Sequence, residues 1–196
     1  MGRTSCIIHL LFEAQKTYKI IEPTTGVDRC ATPNPGHPVF APPVLKHGTF
    51  HLSQTSAILQ YLGHQHGLAP TNPQESANCN QANLDAADVM VEWGNLSKAT
   101  DNGDAWFAPD GRLSQWLDHF SRIIAKNGGP FLFGNNITYA DFGLLCALDF
   151  IRFKYESRLH PLLTERLLAW GEAMEVRSST KLMRGLELPR LPDSFK

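Results

Sequence analysis

The chain has 196 residues and a formal charge of −1, and 42% of its residues are hydrophobic. These values indicate an ordinary globular protein with room for one large domain or two small ones, and they exclude a largely disordered chain. The near-zero charge argues against a nucleic-acid-binding protein, and no apolar run approaches the roughly 20 residues of a membrane-spanning helix. We therefore expect neither a nucleic acid nor a membrane as a partner.

The cysteines indicate a reducing environment. Their positions are scattered along the chain, at Cys6, Cys30, Cys79 and Cys146. None belongs to a C-x-x-C pair or has metal-ligand spacing, so we expect no metal site. The first residues also lack the charged and apolar regions of a secretory signal, and we expect a cytoplasmic protein.

The first third of the chain predicts a mixed α/β unit. Apolar residues three and four positions apart predict an amphipathic helix over 4–15. Residues 18–21 predict a short strand, and the prolines and glycines of 24–42 predict a long loop.

A β-hairpin and a helix are expected next. Residues 44–45 and 49–52 flank a turn that contains Gly48, which is typical of a hairpin. A helix is then predicted from about 53 to 62, and the polar, proline-containing residues 69–76 are interpreted as a linker.

Only helices are predicted after this linker. The helix over 78–97 is expected to bury a stripe of Leu84, Ala87 and Val91, on which Asp88 also lies. Residues 100–111 form a polar break. The remaining helices are expected over 112–126, 139–153 and 161–175, of which 139–153 is apolar on nearly all sides and predicts a buried central helix.

The start of this central helix carries a capping box. Thr138 is suited to accept from the Asp141 backbone N–H, and the Asp141 carboxylate to accept from the Thr138 N–H. Ile137 and Phe142 can form the accompanying hydrophobic staple. The direct role of this motif is stability, with about 0.5–2 kcal/mol expected from the cap.

Gln54 and Thr55 lie where the helix after the hairpin begins. Free backbone N–H groups and the helix dipole at such a position favour an anion such as a carboxylate. The alternative is that Ser53 or Thr55 simply caps the helix. The local sequence leaves both interpretations open.

Three stretches in the same order resemble cytosolic glutathione S-transferases. The similarity to the glutathione-site stretch of that family is carried by Pro43-Val44-Leu45 and then Gln54-Thr55-x-Ala57-Ile58-x-x-Tyr61-Leu62. Thr138-Tyr139-Ala140-Asp141-Phe142 resembles the capping motif of its helical domain, and Gly2-Arg3 the start of its first helix. The run from Phe40 to Leu45 together with Gln54-Thr55 is most similar to fungal and bacterial members.

This resemblance implies a fold and a set of roles. The fold is an α/β thioredoxin-like glutathione-binding domain over 1–68, incomplete at its first strand, plus an all-α C-terminal domain over 77–196. Pro43 would be a cis-proline whose loop, with Pro42 and Val44, presents backbone groups to the cysteinyl part of glutathione. The γ-glutamyl group would be held by Gln54 and Thr55.

Further roles implied by the resemblance are less specific. Asp88 would reach the γ-glutamyl amine bound by a neighbouring subunit of a homodimer, or would form a partly solvated salt bridge. The glycyl carboxylate would be met by one of Arg29, His37 or Lys46. A pocket for the second substrate would draw on the helical half, where Trp93, Trp106, Phe107 and Phe153 are either pocket or core residues.

The sequence departs from the family pattern in two places. Pro42 has no N–H, so one hydrogen bond to the cysteinyl group is lost. The family has a strand before its first helix, with the residue that activates the glutathione thiol, and this strand is not visible here. Three explanations are open: the true chain starts upstream, the sheet is repaired by a rearranged strand or a partner, or the protein is a reduced, non-catalytic relative. Ser5 is the candidate for the activating group, whereas Cys6 falls at an apolar position and is interpreted as core.

Glutathione is thus the expected co-substrate. The leading hypothesis is conjugation of glutathione, or another glutathione-dependent step, on a small electrophile. The alternatives are a non-catalytic binding or assembly module with this fold, and a glutathione-dependent isomerase or tailoring enzyme of small-molecule metabolism.

Overall fold

The structure, a computed structural model, describes residues 2–21, 38–96 and 103–186. Its first part contains two helices and a two-stranded antiparallel sheet. In chain order these are α1 (Thr4–Glu13), β1 (Val44–His47), β2 (Phe50–Ser53) and α2 (Thr55–Gln65). The two strands form the predicted hairpin, and Gly48 adopts a φ of 61° in its turn.

Helix α1 is enclosed by the rest of the molecule. All residues from Ser5 to Leu11 are buried, which is about two full turns, and Leu10 is completely inaccessible to solvent. The helix packs against α2 and against two helices of the second part of the chain, α5 (Tyr139–Leu159) and α7 (Ser178–Gly185). It ends at Glu13, two residues before the predicted end, because Gln15 takes a left-handed conformation with a φ of 54°.

The predicted strand at 18–21 is wrong. These residues pair with no strand among the described residues, whose sheet consists of β1 and β2 alone. Ile21 is 71% exposed, so the apolar residues that suggested a strand have no core to enter. Most of the predicted loop over 24–42 lies outside the described residues, and its last residues, 38–42, form no helix or strand.

The second part of the chain is entirely helical, as predicted. Its helices are α3 (Pro73–Leu96), α4 (Arg112–Asn127), α5 (Tyr139–Leu159), α6 (Glu165–Glu175) and α7 (Ser178–Gly185). Within the described residues, no helix combines the length and the apolar character needed to cross a bilayer.

Helix α3 begins inside the expected linker 69–76. The side-chain oxygen of Asn72 accepts from the backbone N–H of Gln74 at 2.9 Å and of Glu75 at 3.2 Å. This cap, together with Pro73 as the first helical residue, starts the helix earlier than the polar composition suggested.

The predicted buried stripe of α3 is also wrong. Leu84 and Val91 are 49% and 63% exposed, and Asp88 is exposed between them. The face that packs on α5 is made of smaller residues: Cys79, Ala82, Asn83, Ala86 and Val89. Small side chains allow close helix approach, and the Cβ that an alanine would add at Gly143 of α5 would lie 2.9 Å from the Asn83 side-chain oxygen.

Helix α5 is the buried centre of the helical half and carries the predicted capping box. The Asp141 carboxylate is completely buried and accepts four hydrogen bonds. Its donors are the backbone N–H groups of Leu132 (2.9 Å) and Thr138 (2.8 Å), the Thr138 hydroxyl (2.9 Å) and the Trp170 indole (2.9 Å). Asp141 therefore fixes the loop before α5 and also helix α6.

The helix predicted over 161–175 is divided in two. Pro161 lies in a single 3-10 turn, His160–Leu162, and α6 begins only at Glu165. The reason is Thr164, whose hydroxyl accepts from the Leu167 N–H at 3.3 Å and caps the helix there. Helix α7 was not predicted.

Candidate functional site

A cis peptide bond shapes the loop that enters β1. It joins Pro42 and Pro43, which confirms the predicted cis-proline. Pro42 is exposed and Pro43 half-buried, and Val44, the first residue of β1, is 40% exposed. Backbone groups of this loop are therefore accessible to a ligand.

The register of the hairpin brings this loop beside the start of α2. Val44 pairs with Ser53, and Ser53 directly precedes Gln54 and Thr55. Pro43 and Gln54 consequently flank the same end of the two-stranded ladder. The structure thus brings together the two groups that the sequence placed in the glutathione site.

The N-terminus of α2 has no side-chain cap. Gln54 is the N-cap residue, no side-chain cap is made there by the described part of the chain, and the first turn of α2 holds no acidic residue. The alternative that Ser53 or Thr55 caps α2 is therefore wrong. Uncapped N–H groups and the positive end of the helix dipole leave a position that favours a carboxylate.

Gln54 and Thr55 both have unusual features for helix-start residues. Gln54 is exposed and has a φ of 70°, a left-handed conformation that costs a non-glycine residue about 1–3 kcal/mol. The hydroxyl oxygen of Thr55 is buried and has no hydrogen-bond partner among the described residues. Such strain and such an unpaired group are typical of ligand-binding positions.

Tyr61 holds the hairpin against α2. Its hydroxyl is hydrogen-bonded to Nδ1 of His47 at 2.9 Å, and the Phe50 ring lies 5.0 Å from the Tyr61 ring. Residues from both strands are therefore fixed relative to the helix. This contact stabilises the geometry in which the cis-proline loop flanks Gln54.

The helical half supports the same helix through Asn83, a residue that the sequence analysis missed. Asn83 is 1% exposed, and its amide donates to the backbone carbonyl of Ser56 at 3.0 Å. The signal was available, since Asn83 lies four residues after Cys79 and three before Ala86, on the face of small residues. The large apolar residues of α3 indicated a different face.

The remaining predicted residues lie outside this cluster or are not described. Asp88 is exposed on α3 and forms no ion pair or hydrogen bond with any described residue, so the predicted salt bridge is not present there. Lys46 is exposed on β1, while Arg29 and His37 lie outside the described residues. The hydroxyl of Ser5 is 3.6 Å from the Cys146 sulfur in the buried contact between α1 and α5.

The four aromatic residues considered for a second-substrate pocket separate into two groups. Trp106 and Phe107 are buried, and Trp93 packs on the core as a half-buried residue. Phe153 is 91% exposed on α5. The indole N–H of Trp106 donates to Glu92 at 3.1 Å, which ties the loop before α4 to helix α3.

Comparison with known proteins identifies the family. Residues 89–181 match the model of the glutathione S-transferase C-terminal domain. Glutathione S-transferase P 1 of Xenopus laevis is 34% identical over 147 residues, which cover 70% of this chain and 68% of that protein. A glutathione S-transferase of Plasmodium yoelii yoelii is 25% identical over 60% of this chain and 55% of its own length.

A solved structure shows the same fold over most of the molecule. The Pi-class glutathione S-transferase of Onchocerca volvulus superposes with a TM-score of 0.71 at 20% identity, and the match covers 92% of this chain and 86% of that one. The chain belongs to the glutathione S-transferase family. Its fold is the predicted one, an incomplete thioredoxin-like α/β half followed by an all-helical half.

Proposed function

We propose that the chain binds reduced glutathione between the cis-proline loop and the start of α2, and that it conjugates the glutathione sulfur to a small electrophile. The observation that carries this proposal is the pairing of Val44 with Ser53, which sets the cis-proline loop beside the uncapped start of α2. Family membership supports glutathione as the co-substrate.

The protein offers hydrogen-bonding groups to both the cysteinyl and the γ-glutamyl part of glutathione. The cysteinyl part would pair with the main chain of Val44, while Pro42 contributes only its carbonyl because it has no N–H. The γ-glutamyl carboxylate would sit on the free N–H groups of α2, with the Thr55 hydroxyl and the Gln54 amide as further donors.

Asp88 extends the proposal to a homodimer. Its carboxylate is exposed and without an ion-pair partner among the described residues, so it is free to meet the γ-glutamyl amine at the site of a second subunit.

Three further predictions from the sequence belong to this proposal. They are the domain division at 1–68 and 77–196, the fungal or bacterial subtype and the cytoplasmic location.

The group that activates the glutathione thiol is not assigned. A free thiol has a pKa of about 8.5, so a transferase must stabilise the thiolate at neutral pH. Ser5 remains the candidate, although its hydroxyl is directed to Cys146 rather than to solvent. The electrophile would bind on the helical half, where Phe153 offers an exposed aromatic surface.

The test is a calorimetric titration of the chain and its variants with reduced glutathione. Gln54→Ala and Thr55→Val are each expected to weaken binding about tenfold, because each removes a hydrogen bond to a charged group. Gln65→Ala, an exposed change at the opposite end of α2, is the matched control and should leave the affinity unchanged.

Turnover is then measured with a halonitroaromatic electrophile. Binding and conjugation that are both lost in the Gln54 and Thr55 variants support the proposal. Binding without turnover by any electrophile or isomerisable substrate would instead indicate the binding-module alternative. Unchanged affinity in both variants would show that α2 is not the γ-glutamyl site.

A further inference from the structure

Two cysteine thiols meet in the core where α1 packs on α5. Cys6 lies in the first turn of α1 and Cys146 in the middle of α5, and they are 3% and 5% exposed. Both side chains line one small cavity, although 139 residues separate them in the chain. The sequence alone placed Cys6 in the core and did not indicate a partner for it.

The surroundings of the two sulfurs are unequal. The Cys6 thiol donates to the backbone carbonyl of Arg3 at 3.1 Å, whereas the Cys146 sulfur lies 3.6 Å from the Ser5 hydroxyl. The neighbouring Cys6 and Ser5 side chains lower the pKa of Cys146, whereas the proximity of Cys146 and burial raise the pKa of Cys6 well above its ordinary value. Cys146 is therefore the better nucleophile of the two.

A small cavity lies against both sulfurs. Its volume is about 20 Å³, and Ser5, Cys6, His9 and Cys146 line it together with Asp149 and Arg184 at the α7 side. A cavity of this size has room for about one water molecule. It therefore excludes bulky thiols and disulfides, so an oxidant that reaches these sulfurs must be a small molecule.

We propose that Cys6 and Cys146 form a redox-active pair that hydrogen peroxide oxidises to an intramolecular disulfide between α1 and α5. The proposal does not depend on the proposed glutathione activity. Its consequence is a covalent link between the thioredoxin-like half and the helical half, which reduction removes.

The chemistry proceeds in two steps. The Cys146 thiolate attacks one peroxide oxygen, the O–O bond breaks, and a sulfenic acid forms while the other oxygen leaves as hydroxide and takes up a proton to become water. The Cys6 sulfur then attacks the sulfenic sulfur, the S–O bond breaks, and a second water leaves with the Cys6 proton. The two thiols lose two electrons in total, and the peroxide gains them.

The experiment uses a chain in which only this pair remains, the double variant Cys30→Ser and Cys79→Ala. The protein is treated with hydrogen peroxide, unfolded, alkylated with a maleimide and analysed by mass spectrometry. We expect both thiols to resist alkylation, a peptide that links Cys6 to Cys146, and full recovery of both thiols with dithiothreitol. The oxidised form should unfold on the order of 10 °C higher than the reduced form.

Two further variants test the assigned roles. With Cys6→Ser in the same background, Cys146 should accumulate as a sulfenic acid that a cyclic 1,3-diketone traps. With Cys146→Ser, Cys6 should stay reduced at the same peroxide dose. Thiols that remain alkylatable after peroxide treatment, over-oxidation of Cys146 without a crosslink, or equal reactivity of the two single-cysteine chains would each overturn the proposal.

Discussion

Asn83 of the helical half donates a hydrogen bond to the Ser56 carbonyl in the first turn of α2, over 3.0 Å. Ser56 directly follows Gln54 and Thr55, so a buried side chain of α3 fixes the position of the proposed γ-glutamyl site. The two halves of the molecule are therefore in contact at the start of α2 as well as along α1.

Asn83→Ala is expected to weaken glutathione binding although Asn83 does not belong to the proposed site. Loss of the amide removes a hydrogen-bond donor from the Ser56 carbonyl and leaves a void where Asn83 packs on α5. We therefore expect the free energy of unfolding to fall by about 1–3 kcal/mol. Calorimetry at a temperature where the variant stays folded separates the two effects. Asn78→Ala, on the exposed side of the same helix, serves as the control. An unchanged glutathione affinity would contradict the positioning role.

Alanine substitutions at two helix glycines should change the free energy of unfolding in opposite directions. At Gly63 of α2 the added Cβ would overlap the fully buried Tyr139 ring of α5, and we expect a loss of about 1–3 kcal/mol from overpacking. At Gly171 of α6 nothing lies within 4 Å, so Gly171→Ala should stabilise by about 0.5–1 kcal/mol through its helix propensity. Urea unfolding of the two variants and the parent chain measures both changes in the free energy of unfolding. The same sign for both changes would refute the α2–α5 packing described above.

Asp141→Asn is expected to be strongly destabilising. An amide offers one acceptor oxygen and would turn its NH₂ group toward donors such as the Leu132 N–H and the Trp170 indole. We expect a loss on the order of 3 kcal/mol, measured by chemical denaturation, since several charge-assisted hydrogen bonds are broken. Asp118→Asn, an exposed change on α4, should stay within about 0.5 kcal/mol of the parent chain. A similarly small effect at Asp141 would show that its hydrogen bonds do not hold α6.

His9 makes stability depend on pH. Burial, followed by the charge of Arg184, lowers the pKa of His9 to about 4, and its Nε2 is hydrogen-bonded to the Thr180 hydroxyl at 2.9 Å. The folded state therefore favours neutral His9, so its contribution is complete above about pH 6.5 and is lost as the pH falls toward 4. The loss attributable to His9 should reach about 3 kcal/mol at the acid end of this range.

His9→Gln removes this titration and keeps a hydrogen-bonding side chain. We expect the pH dependence of unfolding between pH 4 and 6.5 to be shallower in this variant than in the parent chain. His160→Gln, an exposed histidine before α6, should reproduce the parent slope. If both variants gave the parent slope, His9 would not be the group responsible.

Much of the fold could be predicted because local patterns decide it. The helix predicted over 112–126 forms as α4, with Leu113, Leu117, Phe120 and Ile124 buried at helical spacing. Gly48 lies in the turn of the predicted hairpin, and the Thr138 capping box starts α5 as predicted. The cis bond before Pro43 followed from family resemblance, and the structure contains it.

The errors arose where tertiary packing outweighs local pattern. Residues 18–21 have strand-like composition, yet the structure gives them no neighbouring strand. On α3 the size of Leu84 and Val91 suggested a buried face, but close packing on Gly143 selects the face of small residues instead. The Cys6–Cys146 pair could not be foreseen, because it depends on a contact between segments far apart in the sequence.

The docking of α1 on α7 determines when the protein can finish folding. His9 meets Thr180 across 171 residues, and Glu13 meets Arg177 across 164. Because α7 follows α1 by more than 160 residues, the part of α1 that packs on α7 stays without this partner until α7 has been synthesised. The contact between α1 and α7 therefore closes after the contact between α1 and α2 can form.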